Sequence, residues 1–181
     1  DYFSFLPLNP TLASGGHRRL VEFQARREFE GFTAFPNFLG GVHGDALRGL
    51  TAANPHIHGT YIWSQEGGPL HAGPRSLYPL HGFWTWIDAN VHATARLALD
   101  PSLDAEALAA GWVRETISQD PRVVEGLTDV LLRSRTAVEK GLYIRPFAES
   151  AVRTVGVEVP TMMWIMEWDV VGDWRGVSST V

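Results

Sequence analysis

Three carboxylates, an amide and two guanidinium groups crowd into a short run. Leu20 to Gly31 reads Leu-Val-Glu-Phe-Gln-Ala-Arg-Arg-Glu-Phe-Glu-Gly. Carboxylates supply general acid and base chemistry. An amide orients them, and an arginine meets another carboxylate through a two-pronged hydrogen bond. On residue type alone, Glu28 reads as a solvated loop carboxylate, and Arg26, Arg27 and Arg75 read as surface charges. Histidine offers a second chemistry, because His56-Ile57-His58 has the alternation that puts two imidazoles on one strand face. A metal centre of that kind also needs carboxylate and further histidine ligands at matching strand ends. His43, His71, His81 and His92 are scattered over loop and helix candidates, so no metal is expected. Seven tryptophans offer a third. Indole faces pack against the C–H face of a pyranose, and they equally fill cores. Trp63, at the end of a strand candidate, is the one best placed to line a sugar pocket. The chain has no cysteine, which excludes disulfides, thiolate metal sites and a cysteine nucleophile. No phosphate-cradling glycine loop and no Gly-x-Ser-x-Gly elbow is present, and no cofactor is expected.

The elements that must carry these groups follow from periodicity and punctuation. Arg19 to Gln24 alternates with period two: Val21 and Phe23 share one face, and Leu20, Glu22 and Gln24 share the other. Such a strand is either half-exposed or a barrel strand whose outer face meets helices and whose inner face turns polar. Residues 1 to 17, broken by Pro7, Pro10, Gly15 and Gly16, suit a strand end and a loop. Arg26 to Phe38 reads as a charged, aromatic loop. A helix is predicted over about Val42 to Ala53, stopped by Asn54-Pro55. His58 to Trp63 is a second strand candidate. The glycine- and proline-rich stretch Ser64 to Pro79 is a loop long enough to suggest function.

Three helices are then predicted. The first spans about Gly82 to Leu99. The second is capped by Ser102 or Asp104 and runs to about Ile117. The third has Asp120 as N-cap, Pro121 as first residue and Gly141 just past its end. In the tail, Val155 to Val159 and Met162 to Val171 read as strands or a short helix. The alternation points to an α/β fold with parallel strands. Only about three barrel strands fit into it, where a closed barrel needs eight.

Composition narrows the class without naming a function. A length of 181 residues suits one domain or a piece of a larger one, and a 45% hydrophobic share suits a buried core. The net charge of −5, with mixed signs, gives no electrostatic case for nucleic acid or an anionic membrane. No apolar run approaches the roughly 20 residues of a membrane span. The absence of cysteine fits a cytoplasmic protein. The opening Asp1-Tyr2-Phe3 lacks both Met and a signal-peptide pattern, so a processed or truncated start is expected.

Leu20 to Gly31 resembles a stretch of the family-67 α-glucuronidases, in which a strand carrying Glu-x-Gln runs into Gln-Glu-Tyr-x-Gly. Arg27 stands where that family has Gln, and Phe29 where it has Tyr. Asp1, followed by Pro7 and Pro10, falls near the spacing of the family's preceding Asp. Ala89-Asn90-Val91 and Ala95-Arg96-Leu97-Ala98-Leu99-Asp100-Pro101 resemble the helix after the family's last barrel strand. Ser102-Leu103-Asp104-Ala105-Glu106 and Gly111-Trp112-Val113 continue in order. The resemblance covers about Asp1 to Glu139 and fades beyond Leu142.

The resemblance implies the later part of a (β/α)8 TIM barrel over residues 1 to 100. A helical C-terminal segment over 101 to 181 would pack on it. It implies an inverting glycoside hydrolase that removes (4-O-methyl)glucuronic acid from xylo-oligosaccharides. Glu28 and Asp1 would activate water, with Glu22 and Gln24 orienting Glu28 or a nearby arginine; alternatively, Glu22 pairs with a buried arginine. Arg26, Arg27, Arg75 and Trp63 would hold the sugar. The family's general acid sits on an earlier strand, upstream of Asp1, so this chain alone is expected to lack turnover. The expected partners are an oligosaccharide and the rest of the parent chain, with a homodimer left open. A barrel glycosidase for another sugar and a non-catalytic carbohydrate-binding barrel are the competing readings.

Overall fold

The computed structural model describes residues 15–25, 35–63 and 84–142. In chain order these form β1 (Arg19–Gln24), α1 (Gly40–Ala53), β2 (Ile57–Trp63), α2 (Trp84–Leu99), α3 (Ala105–Trp112), a π turn (Val113–Ile117) and α4 (Pro121–Leu142). The described part is mostly helical, with a small parallel sheet of two strands, β1 beside β2.

The alternation in β1 survives folding. Val21 and Phe23 are buried, while Leu20 and Glu22 are exposed. Leu20 pairs with Gly59, Glu22 with Tyr61 and Gln24 with Trp63. The register slips between Arg19 and Leu20, because Arg19 pairs with Ile57 and His58 is the extra residue. That slip matters for the His56–His58 pair. His56 lies half-buried in the turn before β2, and His58 is exposed at the irregularity. Among the described residues no three His, Asp or Glu side chains gather as metal ligands.

The helices cover the Val21–Phe23 face. α1 buries Gly40, His43, Gly44, Ala46, Leu47 and Leu50, a stripe at helical spacing. α2 turns Ile87, Asn90, Ala93, Thr94 and Leu97 inward, and α4 turns Val124, Thr128, Leu131, Ser134, Arg135 and Val138 inward. One apolar cluster joins Val21 and Phe23 to Leu50, Leu97, Leu108, Trp112 and Leu131. His43 belongs to this core. Its ring stacks on Phe23 with centroids 4.5 Å apart, and its Nδ1 lies 3.0 Å from Thr94 Oγ1.

Helix ends follow local chemistry. Asn54 stops α1: its N–H donates to the Leu50 carbonyl, and its Oδ1 accepts from the His56 N–H. Asp104, rather than Ser102, caps α3, and its Oδ1 accepts from the Ala107 N–H at 2.7 Å. Asp120 starts α4 ahead of Pro121, with Oδ1 accepting from the Arg122 N–H.

Four boundaries differ from the sequence expectation. β2 begins at Ile57, not His58. α1 begins at Gly40, not Val42. The helix expected to reach Ile117 unbroken widens after Trp112 into a π turn, closed by Ser118 N–H to the Val113 carbonyl. α4 runs through Gly141 to Leu142 instead of ending before the glycine. A single glycine costs a helix only about 1 kcal/mol, so a 22-residue helix continues across it.

Candidate functional site

Parallel pairing brings the carboxyl ends of β1 and β2 to the same sheet edge, with Gln24 in register with Trp63. Barrel and open α/β enzymes build their sites at that edge, because the loops that follow the strands meet there. The sheet face away from the helices carries Leu20, Glu22 and Tyr61, all exposed among the described residues. Across it the Tyr61 hydroxyl donates to Glu22 Oε2 at 2.5 Å. That bond to a carboxylate raises the Tyr61 phenol above its ordinary value, with partial burial and the Glu22 charge adding to the effect. Thr60 pins the pair of strands by donating its hydroxyl to the Val21 carbonyl at 2.8 Å.

The chain beyond β1 is anchored from the helices. Asn90, buried in α2, donates Nδ2 to the carbonyls of Ala25 (2.8 Å) and Asn37 (2.9 Å), and its Oδ1 accepts from the Leu39 N–H (2.8 Å). Three of the amide's four hydrogen-bonding positions are thus used on backbone. Each backbone group left bare in that dry interior would cost about 1–3 kcal/mol. From α4, Ser134 Oγ accepts from the Phe38 N–H at 2.8 Å, and Arg135 Nη1 donates to Asn37 Oδ1 at 3.4 Å. Arg135, itself buried, is paired with Glu139 at 3.1 Å.

A second polar cluster ties α2 to α3 and the π turn. Trp112 Nε1 donates to Asp88 Oδ2 at 2.8 Å, and Arg96 Nη2 pairs with Glu115 at 2.7 Å. His92 Nδ1 lies 3.8 Å from Glu115, too far for a hydrogen bond. Burial lowers the His92 pKa; the charges of Glu115 and Asp88 oppose this and that of Arg96 adds to it. Desolvation outweighs the carboxylates, so His92 is neutral at pH 7 and Glu115 forms its ion pair with Arg96. This cluster staples helices and gathers no reacting groups. A groove of about 970 Å³ between α3 and α4, with Glu106, Arg114, Arg122, Asp129 and Arg133 on its walls, is equally unpromising. Arg122 and Arg133 are spent on exposed pairs with Asp120 and Asp129, and no strand residue reaches the groove.

Of the residues singled out in the sequence, Glu22 and Gln24 are described. Glu22 meets Tyr61, and Gln24 is half-buried at the strand end. Trp63 is placed by its backbone, opposite Gln24. Asp1, Arg26, Arg27, Glu28 and Arg75 lie outside the described residues. Sequence reasoning missed Asn90 as an anchor. The signal was present: Asn90 and Thr94 interrupt the inward stripe of α2 between Ile87 and Leu97, and a polar residue on a buried stripe needs backbone partners. Tyr61 was missed because alternation assigns faces within a strand but not the register between two strands.

Residues 85–154 match the family described as Glycosyl hydrolase family 67 C-terminus. The match spans α2, α3, the π turn and α4, which supply Asn90, Ser134 and Arg135. It also runs past Leu142, where the sequence motifs fade. Over these residues the chain is similar to the C-terminal region of the family-67 glycosyl hydrolases. A protein named probable alpha-glucuronidase A from Aspergillus fumigatus (strain CBS 144.89 / FGSC A1163 / CEA10) is 37% identical over 60 residues, covering 30% of this chain and 7% of that protein. The same figures hold for the probable alpha-glucuronidase A of Neosartorya fischeri. The matched stretch is thus a small fraction of the length of these relatives. No solved structure shows a significant match.

Proposed function

We propose that the chain is part of an inverting α-glucuronidase that removes glucuronic acid or its 4-O-methyl ether from xylo-oligosaccharides. The observation that carries this reading is the direct bond between its two halves. The region matching family 67, through Asn90, holds the carbonyl of Ala25; Glu28, three residues further on, is the position that by resemblance corresponds to a water-activating carboxylate. The parallel pair, apolar toward the helices and polar on its open face, supports a partial (β/α)8 barrel over residues 1 to 100. In that barrel Leu20, Glu22 and Tyr61 would face inward, and the rest of the parent chain would close the sheet. In this reading residues 101 to 181 would be the helical C-terminal segment packing on the barrel, and its described part is α3, the π turn and α4.

Inversion needs a carboxylic acid on the leaving oxygen and a carboxylate base on the opposite ring face, spaced to admit one water. Glu28 and Asp1 share the work of orienting that water and taking its proton. A glutamic acid from an earlier strand protonates the leaving oxygen. Arg26, Arg27 or Arg75 meets the uronate carboxylate with a guanidinium fork, and Trp63 offers a face to the ring. Glu22, with Tyr61 holding it, and Gln24 orient these groups. Arg27 and Phe29, where the family has Gln and Tyr, favour a second reading in which the same barrel accepts a different sugar.

The test is release of glucuronate from aldouronic acids by the full-length protein, compared with Glu28→Ala. A loss of about 10²-fold or more in kcat, with the product formed by the wild type as the β-anomer, is expected. Turnover untouched by the substitution removes Glu28 from the site. No release by the wild type shifts the reading to another sugar or to binding without turnover.

A further inference from the structure

We infer that Asn90 is a positioning residue: one side chain of α2 sets where the segment between β1 and α1 starts and ends. The functional part of this inference rests on the reading of Glu28 given above. Both roots of segment 26–36 converge on a single nitrogen. Ala25, at the exit of β1, and Asn37, at the approach to α1, offer their carbonyls to Asn90 Nδ2 at 2.8 and 2.9 Å. Oδ1 of the same amide fixes Leu39, the residue ahead of α1. The second root is held again from α4 by Ser134 Oγ on the Phe38 N–H and by Arg135 on Asn37 Oδ1. No other described side chain bonds to both roots.

Apolar packing alone would not fix where these two roots sit, because it is non-directional. An amide with both hydrogens and its oxygen committed fixes distance and orientation together. Catalysis is sensitive to such placement, since a misplacement of about 1 Å costs on the order of 10²-fold in rate. The helices matching family 67 therefore have a role beyond covering the sheet: they fix the two roots, Ala25 and Asn37, between which Arg26, Arg27 and Glu28 fall in sequence.

The experiment compares Asn90→Ala, Ser134→Ala and Leu108→Ala in the full-length protein, assayed well below each variant's Tm. Leu108→Ala is the control, a buried residue of α3 whose side chain has no group to hydrogen-bond either root. Asn90→Ala is expected to lower kcat by about tenfold or more with KM within about threefold of wild type. Ser134→Ala should move the same way by less, and it carries the test if Asn90→Ala does not fold. Leu108→Ala should lower Tm without changing kcat. Amide hydrogen exchange should speed up at 25, 35 and 37–39 in the root variants only. The proposal is overturned if the root variants lose no more kcat than Leu108→Ala at equal loss of Tm, or if exchange rises evenly over the helices. Should the wild type show no glucuronidase turnover, the functional reading fails by itself, and the exchange pattern alone decides whether Asn90 holds the roots.

Discussion

Tyr61 Oη and Glu22 Oε2 lie 2.5 Å apart across the two parallel strands, on the face that the helices leave open. The phenol donates to a carboxylate, which stabilises its neutral form and raises its pKa above the ordinary 10.0. A phenol whose folded pKa exceeds its unfolded value contributes stability below the unfolded value and loses it as pH rises through the folded one. The bond is therefore fully in force at neutral pH and weakens only in the alkaline range. Glu22→Gln should return Tyr61 toward the ordinary phenol value, read from its ring resonances during a pH titration. An unchanged Tyr61 titration in that variant would mean the hydrogen bond is absent in solution.

His92 should make the protein acid-sensitive in a narrow window. Its pKa is lowered chiefly by burial beneath the α2–α3 contact. A histidine with a depressed folded pKa contributes stability above the unfolded value of 6.5, and this is lost as pH falls through the folded value. Urea midpoints measured from pH 7.5 down to 5 should decline more steeply for the wild type than for His92→Gln. Parallel curves would show that His92 titrates alike in the folded and unfolded chains.

Two glycine-to-alanine changes should act in opposite directions. A Cβ on Gly40 would come within 2.6 Å of the Phe38 ring and 3.2 Å of the Ala93 Cβ, at the buried start of α1. Gly126 lies mid-helix in α4 with nothing within 4 Å of such a Cβ. Gly126→Ala should stabilise by about 0.5–1 kcal/mol, the usual helix gain. Gly40→Ala should destabilise by about 1–3 kcal/mol, because the overpacking exceeds that gain. Calorimetry on both variants checks the pair; a raised Tm for Gly40→Ala would mean the Phe38 ring moves aside at little cost.

What the sequence reveals about this fold tracks how local the cause is. β1 lies at Arg19–Gln24 as its alternation predicts, and Asp104 and Asp120 cap the helices they precede. Each of these rests on chemistry within a few residues. The π turn at Val113–Ile117 has no such signature; it follows Trp112, whose indole donates to Asp88 of another helix. The site divides the same way. The polar face of β1 is visible as a pattern, whereas the partner of Glu22 depends on strand register and the role of Asn90 on three groups far away in sequence. Glu28 and Asp1 enter the proposed site only through resemblance, since a single carboxylate in sequence carries no sign of a task.

The bond from the Phe38 N–H to Ser134 Oγ spans 96 positions of sequence. A ribosome adding about 5–20 residues per second delivers Ser134 roughly 5 to 20 s after Phe38. Asn90 arrives earlier and can gather both roots while α4 is still unmade. The two anchors of the approach to α1 thus become available in two stages during synthesis, first from α2 and then from α4. A nascent chain stalled between them would hold the strand exit in place while its second anchor was still missing.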